Sequence, residues 1–382
     1  MKSLAKAIFV SAMIFSAPAK AMTPEDRLAG LMNGPDKSWF AASFLAAVPY
    51  GQVRSLMRDL SKVMGPVTDV TPSGEGYVIR SATHSVKAQI ALDGAGQIIG
   101  LYFDPPQALL VTLEQARDGL LALKGEVAFM VMRGGDVILE QGSDRSLAVG
   151  SAFKIAILAE LAAQVQAGGR DWADVVTLRD RHKSLPSGDM RDLPDGTPVT
   201  LAHAAALMIS QSDNTATDLL MDVVGADAVA RRLGVAHALT TRQFFALKAD
   251  TELAAGYVAG DAATRRTLAD QAAARPLPHV SSIGPFVPGL EWQVPATRLC
   301  QIMAEVQGLP AMQINPGVID AQDWASVAFK GGSEVGVLNL TTWARPENGP
   351  PICAVLTVNH DQALEEAEIA QAYSALFTAL RE

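Results

Sequence analysis

Ser151 and Lys154 sit one helical turn apart in Gly150-Ser151-Ala152-Phe153-Lys154, a hydroxyl and an amine spaced so that one can serve the other. Acyl transfer by a serine needs removal of its proton, stabilisation of an oxyanion and protonation of the leaving group. The residues that follow (Ile155, Ala156, Ile157, Leu158, Leu161, Val165) are apolar almost all round, so this helix is expected to run through a core. Its start offers free N–H groups and a positive dipole end, and burial would lower the lysine pKa towards that of a usable base. The pair by itself is weak. A capping serine followed by an ordinary lysine reads the same, and a second copy, Ser3 to Lys6, lies in the N-terminal leader.

Two further segments add the missing parts. Ser212-Asp213-Asn214 precedes a helix beginning near Ala216, where Asp and Asn would otherwise read as simple caps. Lys330-Gly331-Gly332-Ser333 ends a predicted strand, where a lysine can point into a cleft at a sheet edge; the plainer reading is a hairpin turn with a solvated lysine. Other chemistries lack their residues. There is no Gly-x-Ser-x-Gly elbow, and His84, His182, His203, His237, His279 and His360 are scattered without zinc spacing, so neither a metal nor a cofactor is expected.

The elements that must position these groups follow from periodicity. The first residues read as a secretory leader: Lys2 and Lys6, an apolar run from Ala7 to Ala17, and Ala19-Lys20-Ala21 as a cleavage site, giving residues 1–21. The run is too short to span a bilayer, and no later segment is long enough, so a periplasmic or secreted chain is expected. Removing the leader takes away three lysines and no acid, moving the net charge from −9 to −12. Such a surface argues against nucleic acid and anionic membranes as partners; a small-molecule substrate and a monomer are expected. With 49% hydrophobic and 19% charged residues, the 382-residue chain can bury a large core and has room for two domains.

Residues 22–107 read as a small α+β domain. Lys37 to Val48 and Gly51 to Met64 are predicted helices, the second with Val53, Leu56, Met57 and Leu60 on one face. Val86, Ala88, Ile90 and Leu92 alternate as a strand, and Asp93-Gly94-Ala95-Gly96 turns into Gln97 to Phe103. Asp104-Pro105-Pro106 closes the domain, which holds no set of nucleophile, base and oxyanion donors. Residues 108–382 begin with a helix from about Thr112 to Leu123 and strands Val127 to Met132 and Val137 to Gln141. A helical middle from Phe153 to Val306 follows. Strands resume at Val327 to Phe329, Val335 to Trp343 and Ile352 to Val358, before a last helix with Ile369, Tyr373, Leu376, Phe377 and Leu380 on one face. One antiparallel sheet built from both ends, with a helical insertion, is the α+β architecture this implies. Cys300 and Cys353 read as two core thiols rather than a bridge.

The order Ser-x-x-Lys, Ser-Asp-Asn, Lys-[Thr/Ser]-Gly resembles the signature of class A β-lactamases and penicillin-binding proteins over roughly residues 112–382. The resemblance implies a class A β-lactamase-like domain. It makes Ser151 the acylated nucleophile, Lys154 its base partner and Ser212 the proton relay to the leaving nitrogen. It also implies that Asn214 holds the substrate amide, Lys330 faces a substrate carboxylate, and the N–H groups of Ser151 and Ser333 beside Gly332 form the oxyanion hole. Domain order and the Phe103-Asp104-Pro105-Pro106 junction are similar to a narrower group in which a small steroid-isomerase-like (cystatin/NTF2-like) domain comes first, one member belonging to the clavulanic-acid pathway.

Two departures bear on activity. Gly331 stands where the family usually carries a hydroxyl, and no Glu-x-x-Leu-Asn loop supplies the deacylating glutamate of class A enzymes. Glu252 is the nearest spelling, and it reads as a solvated helix residue. A serine hydrolase of β-lactams and related esters with slow deacylation is therefore expected. A D,D-peptidase of cell-wall peptides and a penicilloyl- or muropeptide-binding sensor without turnover are the alternatives.

Overall fold

The computed structural model describes residues 22–74, 76–109 and 111–381, so the leader lies outside the described residues. The chain divides into two compact units after Leu109, two residues later than the expected boundary.

The first unit opens with α1 (Pro24–Met32), a helix that periodicity alone did not reveal. Its signal is a start rather than a stripe: Thr23 accepts from the Asp26 N–H, Asp26 bonds back to the Thr23 N–H, and Pro24 occupies the first turn. The predicted helix from Lys37 is shorter, reduced to α2 (Ala42–Ala47) after a 3₁₀ turn at Lys37–Trp39. Next come α3 (Tyr50–Met64) and strands β1 (Asp69–Ser73), β2 (Gly76–Arg80), β3 (His84–Leu92), β4 (Ile98–Phe103) and β5 (Gln107–Ala108). The sheet runs β1-β2-β3-β4, with β5 on β3. Pro72 is accommodated because β1 is an edge strand. Val53, Met57, Leu60 and Met64 pack with Leu28 and Leu31 against Ile79, Val86, Ala88 and Ile98. Leu56, placed on that face from the sequence, is instead 51% exposed, because a 15-residue helix on one sheet buries a narrower stripe than its apolar residues span.

The second unit begins with α4 (Leu113–Leu121), capped by Thr112, followed by β6 (Glu126–Arg133), β7 (Asp136–Gln141) and the short β8 (Leu147–Ala148). A 3₁₀ turn at Gly150–Phe153 leads into α5 (Lys154–Gln166). The insertion is not purely helical. Strands β9 (Val175–Thr177) and β10 (Pro198–Thr200) pair, and β11 (Gln293–Val294) pairs with β8. Around them lie α6 (Leu201–Ser210), α7 (Asn214–Val224), α8 (Ala226–Leu233), α9 (Thr241–Lys248), α10 (Thr251–Ala259), α11 (Ala262–Ala273) and α12 (Ala296–Val306). Strands β12 (Ser326–Glu334), β13 (Val337–Arg345) and β14 (Ile352–Asn359) then complete a sheet of order β12-β13-β14-β6-β7, and α13 (Glu366–Ala379) closes the chain.

Alternation along these strands separates two cores. Phe129, Val131, Val327, Phe329, Ile352, Ala354, Leu356 and Val358 face α4 and α13, whose Leu120, Ile369, Tyr373, Leu376 and Phe377 cover them. Met130, Ala328, Cys353 and Val355 face the insertion, where α5 is buried on nearly all sides as its composition requires. The strand expected to stop at Phe329 continues to Glu334, and Val335 lies in the following turn, 53% exposed, instead of starting the next strand.

Cys300 on α12 and Cys353 on β14 form a disulfide, with Cα atoms 6.0 Å apart, which corrects the expectation of two free thiols. The helix packs directly on that strand, so two core positions face one another at bridging distance. Cys353→Ser is expected to destabilise the protein by about 2–4 kcal/mol, seen as a melting temperature several degrees lower. Melting unchanged by the substitution or by reductant would contradict that role.

Candidate active site

Gly150 opens the serine turn at φ +48, a left-handed conformation that glycine adopts without strain. The turn lies against the edge strand β12. A Cβ on Gly332 would overlap the Val149 carbonyl and the Ser151 N–H and come within 2.7 Å of the Ala152 nitrogen; one on Gly150 would lie 3.2 Å from the Ser333 nitrogen. Two glycines thus let the backbones of 150–152 and 332–333 approach closely, which two N–H groups need in order to converge on one oxygen. Ser151 is half-buried on this turn, ahead of α5 rather than in its first α-helical turn, and Ser333 is exposed.

The first residue of α5 is Lys154, fully buried. Its ammonium donates to the Ser212 carbonyl (2.6 Å), the Ser212 hydroxyl (3.1 Å) and the Asn214 side-chain oxygen (2.6 Å). Burial, and next the positive charge of Lys330, hold its pKa well below the usual lysine value; Asp218 and Asp213 oppose this. Lys330 points from β12 to the same hydroxyl at 3.1 Å and also donates to the Gly331 carbonyl at 2.5 Å. Burial pushes its pKa down to about 7. The Ser212 hydroxyl therefore bridges two buried amines, which is the connection a proton relay requires. The Ser151 hydroxyl takes no part in the bonds that tie Lys154, Ser212 and Lys330 together.

Ser212 is held at φ +57, the only non-glycine residue with positive φ among the described residues. That conformation costs about 1–2 kcal/mol, and its surroundings account for its persistence. Asp213 is buried, caps α7 through the Ala216 N–H (2.8 Å) and accepts from the Met190 N–H (2.9 Å). The Ser187 hydroxyl donates to the Ser212 carbonyl at 2.7 Å. The Asn214 amide oxygen accepts from Lys154, and its nitrogen donates one N–H to the Leu185 carbonyl at 3.0 Å. These bonds tie it to Lys154 and leave its second N–H for the substrate contact that the resemblance implied.

Sequence reading missed the groups behind the site. Asp218 is buried on α7 and accepts from the Thr241 N–H and hydroxyl and from the Arg242 N–H, fixing the start of α9; burial raises its pKa to about 6. Lys248, at the end of α9, lies between Glu291 and Glu334. Asp218 stands directly before the apolar run Leu219 to Met221, inside a helix start that was singled out; the lysine and two glutamates left no comparable sign. Glu252 is exposed in the first turn of α10, as its solvated reading required. No group of three or more His, Cys, Asp or Glu side chains fit to hold a metal occurs among the described residues. No described helix is long and apolar enough to cross a membrane.

The model for the β-lactamase enzyme family matches residues 113–275. The solved structures similar to this chain include a β-lactamase from Sphaerobacter thermophilus, 22% identical, covering 70% of this chain and 95% of that one at a TM-score of 0.50. A β-lactamase from Xanthomonas campestris is 16% identical over 71% of this chain and 98% of its own, also at 0.50. An ancestral class A β-lactamase gives the same score at 16% identity, over 70% and 98%. No curated protein sequence matches the chain. At these identities the structures speak for the fold: an antiparallel sheet with a helical insertion, bearing at its edge the segments singled out from the sequence. The family match over residues 113–275 and this fold agree in making the second unit similar to the serine β-lactamase-like superfamily.

Proposed function

We propose that the protein is an exported serine acyl hydrolase, acylated at Ser151 by β-lactams and small esters. The observation that carries this reading is the bonded series Lys154–Ser212–Lys330 beside two converging backbone segments at Ser151. Neutral Lys154 takes the proton as the Ser151 oxygen attacks the carbonyl carbon. The tetrahedral oxyanion is held by the N–H groups of Ser151 and Ser333. As the carbon–nitrogen bond breaks, the proton passes through the Ser212 hydroxyl to the leaving nitrogen. Water later cleaves the ester, returning the Ser151 hydroxyl and releasing an acid. Lys330 binds the substrate carboxylate in its charged form. The apolar leader and the Cys300–Cys353 bridge support export, since disulfides persist in oxidising compartments.

Turnover assays separate the readings. Hydrolysis of a chromogenic cephalosporin or an activated ester is expected. Release of D-Ala from a D-Ala-D-Ala peptide at a higher rate would instead favour a D,D-peptidase. Labelling without any turnover would favour a sensor.

The low pKa of Lys330 sets a pH signature. Its charged form prevails below about 7 and is lost above, so recognition of anionic substrates weakens as pH rises. For a carboxylate-bearing β-lactam, kcat/KM relative to a neutral ester should fall about tenfold per pH unit above that value. A ratio that stays constant from pH 6 to 9 would remove Lys330 from carboxylate binding.

A further inference from the structure

We propose that Lys248, Glu291 and Glu334 form a buried clamp that fixes the two backbone segments of the oxyanion pocket against each other, making Lys248 and Glu334 positioning residues for acyl transfer. This rests on the reading of Ser151 as the acylated residue. The Lys248 ammonium lies 2.9 Å from the Glu291 carboxyl and 2.6 Å from that of Glu334, with the lysine and Glu291 side chains 1% and 0% exposed. Each carboxyl belongs to one half of the pocket. Glu334 follows Ser333 and shares its strand face with Lys330 and Gly332, the face that meets the serine turn. Glu291 precedes Trp292, whose carbonyl accepts from the Val149 N–H at 2.9 Å and whose ring stacks on Phe153 at 4.1 Å. Trp292 therefore grips the serine turn at both ends, Glu334 ends the strand opposite, and one ammonium joins them.

Phe244, on the same helix as Lys248, adds packing: its ring lies 4.3 Å from Trp292 and 5.0 Å from the ammonium. The charged groups facing Glu291 are Lys248 from α9 and Glu334 from β12. Burial first, and then the charge of Glu334, push the Glu291 pKa up to about 8. Below that pH the cluster holds one ammonium, one carboxylate and one neutral carboxyl, and is balanced. Above it the second carboxyl ionises beside the first, and repulsion works against the clamp. The same shift makes protein stability fall with rising pH between about 4.5 and 8, because the unfolded chain releases this proton earlier.

Removing Lys248 alone would leave a poorly paired Glu334, so the test uses Lys248→Met with Glu334→Gln, which deletes both charges and keeps the volume. Amide hydrogen exchange is followed in peptides spanning 147–153 and 326–336, and acylation by a fluorescent penicillin under single-turnover conditions. The expected result is exchange at least about tenfold faster in both peptides with the global unfolding midpoint retained. Acylation should be about 10²-fold slower while non-covalent penicillin affinity stays within about threefold, as for a displaced oxyanion donor. Unchanged exchange in both peptides would overturn the clamp. Faster exchange in a protein whose wild type no penicillin or ester acylates would leave the clamp standing and remove the functional reading. Glu291→Gln gives an independent check should the double variant not fold. With a neutral ester, wild-type acylation should decline above about pH 8 and the variant should not; an identical decline in both would overturn the charge-balance argument.

Discussion

Ser151→Ala is expected to abolish covalent labelling by a fluorescent penicillin while leaving the protein folded. The serine side chain is half-buried on a 3₁₀ turn and makes none of the hydrogen bonds that hold the site together, so a methyl group in its place costs little. Lys154→Ala should fold less well and react far more slowly. Its amine satisfies Ser212 and Asn214, and general-base help is typically worth about 10²–10⁴-fold. Rates should be compared at matched folded fractions, measured by the near-ultraviolet signal of Trp292 and its aromatic neighbours. Full labelling of the Ser151 variant, or a Lys154 variant within about tenfold of wild type, would assign the nucleophile or the base elsewhere.

The second large effect lies in the release step. Deacylation needs a water and a free base beside the ester, and the carboxylates near the site are already engaged. Asp218 is saturated by Thr241 and Arg242, while Glu291 and Glu334 are tied to Lys248. Glu252 is exposed on α10. Loss of a general base commonly lowers a rate by about 10²–10⁴-fold, so benzylpenicillin should give a burst of about one equivalent followed by slow steady release. Steady turnover at hundreds per second without a burst would show that another base operates.

How much of this was legible depended on how local each feature is. Ser151 and Lys154 share one turn, Ser212 and Asn214 share one helix start, and Lys330 through Ser333 share one strand, so types and spacing sufficed to nominate them. The short apolar runs Val127 to Met132, Val327 to Phe329 and Ile352 to Val358 likewise indicated the strands of the sheet. The clamp of Lys248, Glu291 and Glu334 could not be read that way, since only the fold of the insertion over the sheet brings three distant, ordinary charged residues together. Cys300 and Cys353 pair for the same reason: the packing of α12 on β14 decides their separation. Leu56 failed differently. Helical periodicity says which residues share a face, and the partner surface decides how wide a stripe of that face is buried.

The claim on which the account turns is that one serine carries the acyl group, and peptide mapping tests it most directly. The protein is mixed with benzylpenicillin, quenched in acid within seconds, digested and sequenced by tandem mass spectrometry. The account predicts one penicilloyl adduct per chain, on Ser151, absent from the Ser151→Ala variant and persisting for minutes before release. An adduct located on Ser212, Ser333 or a lysine, with Ser151 unmodified, would contradict it.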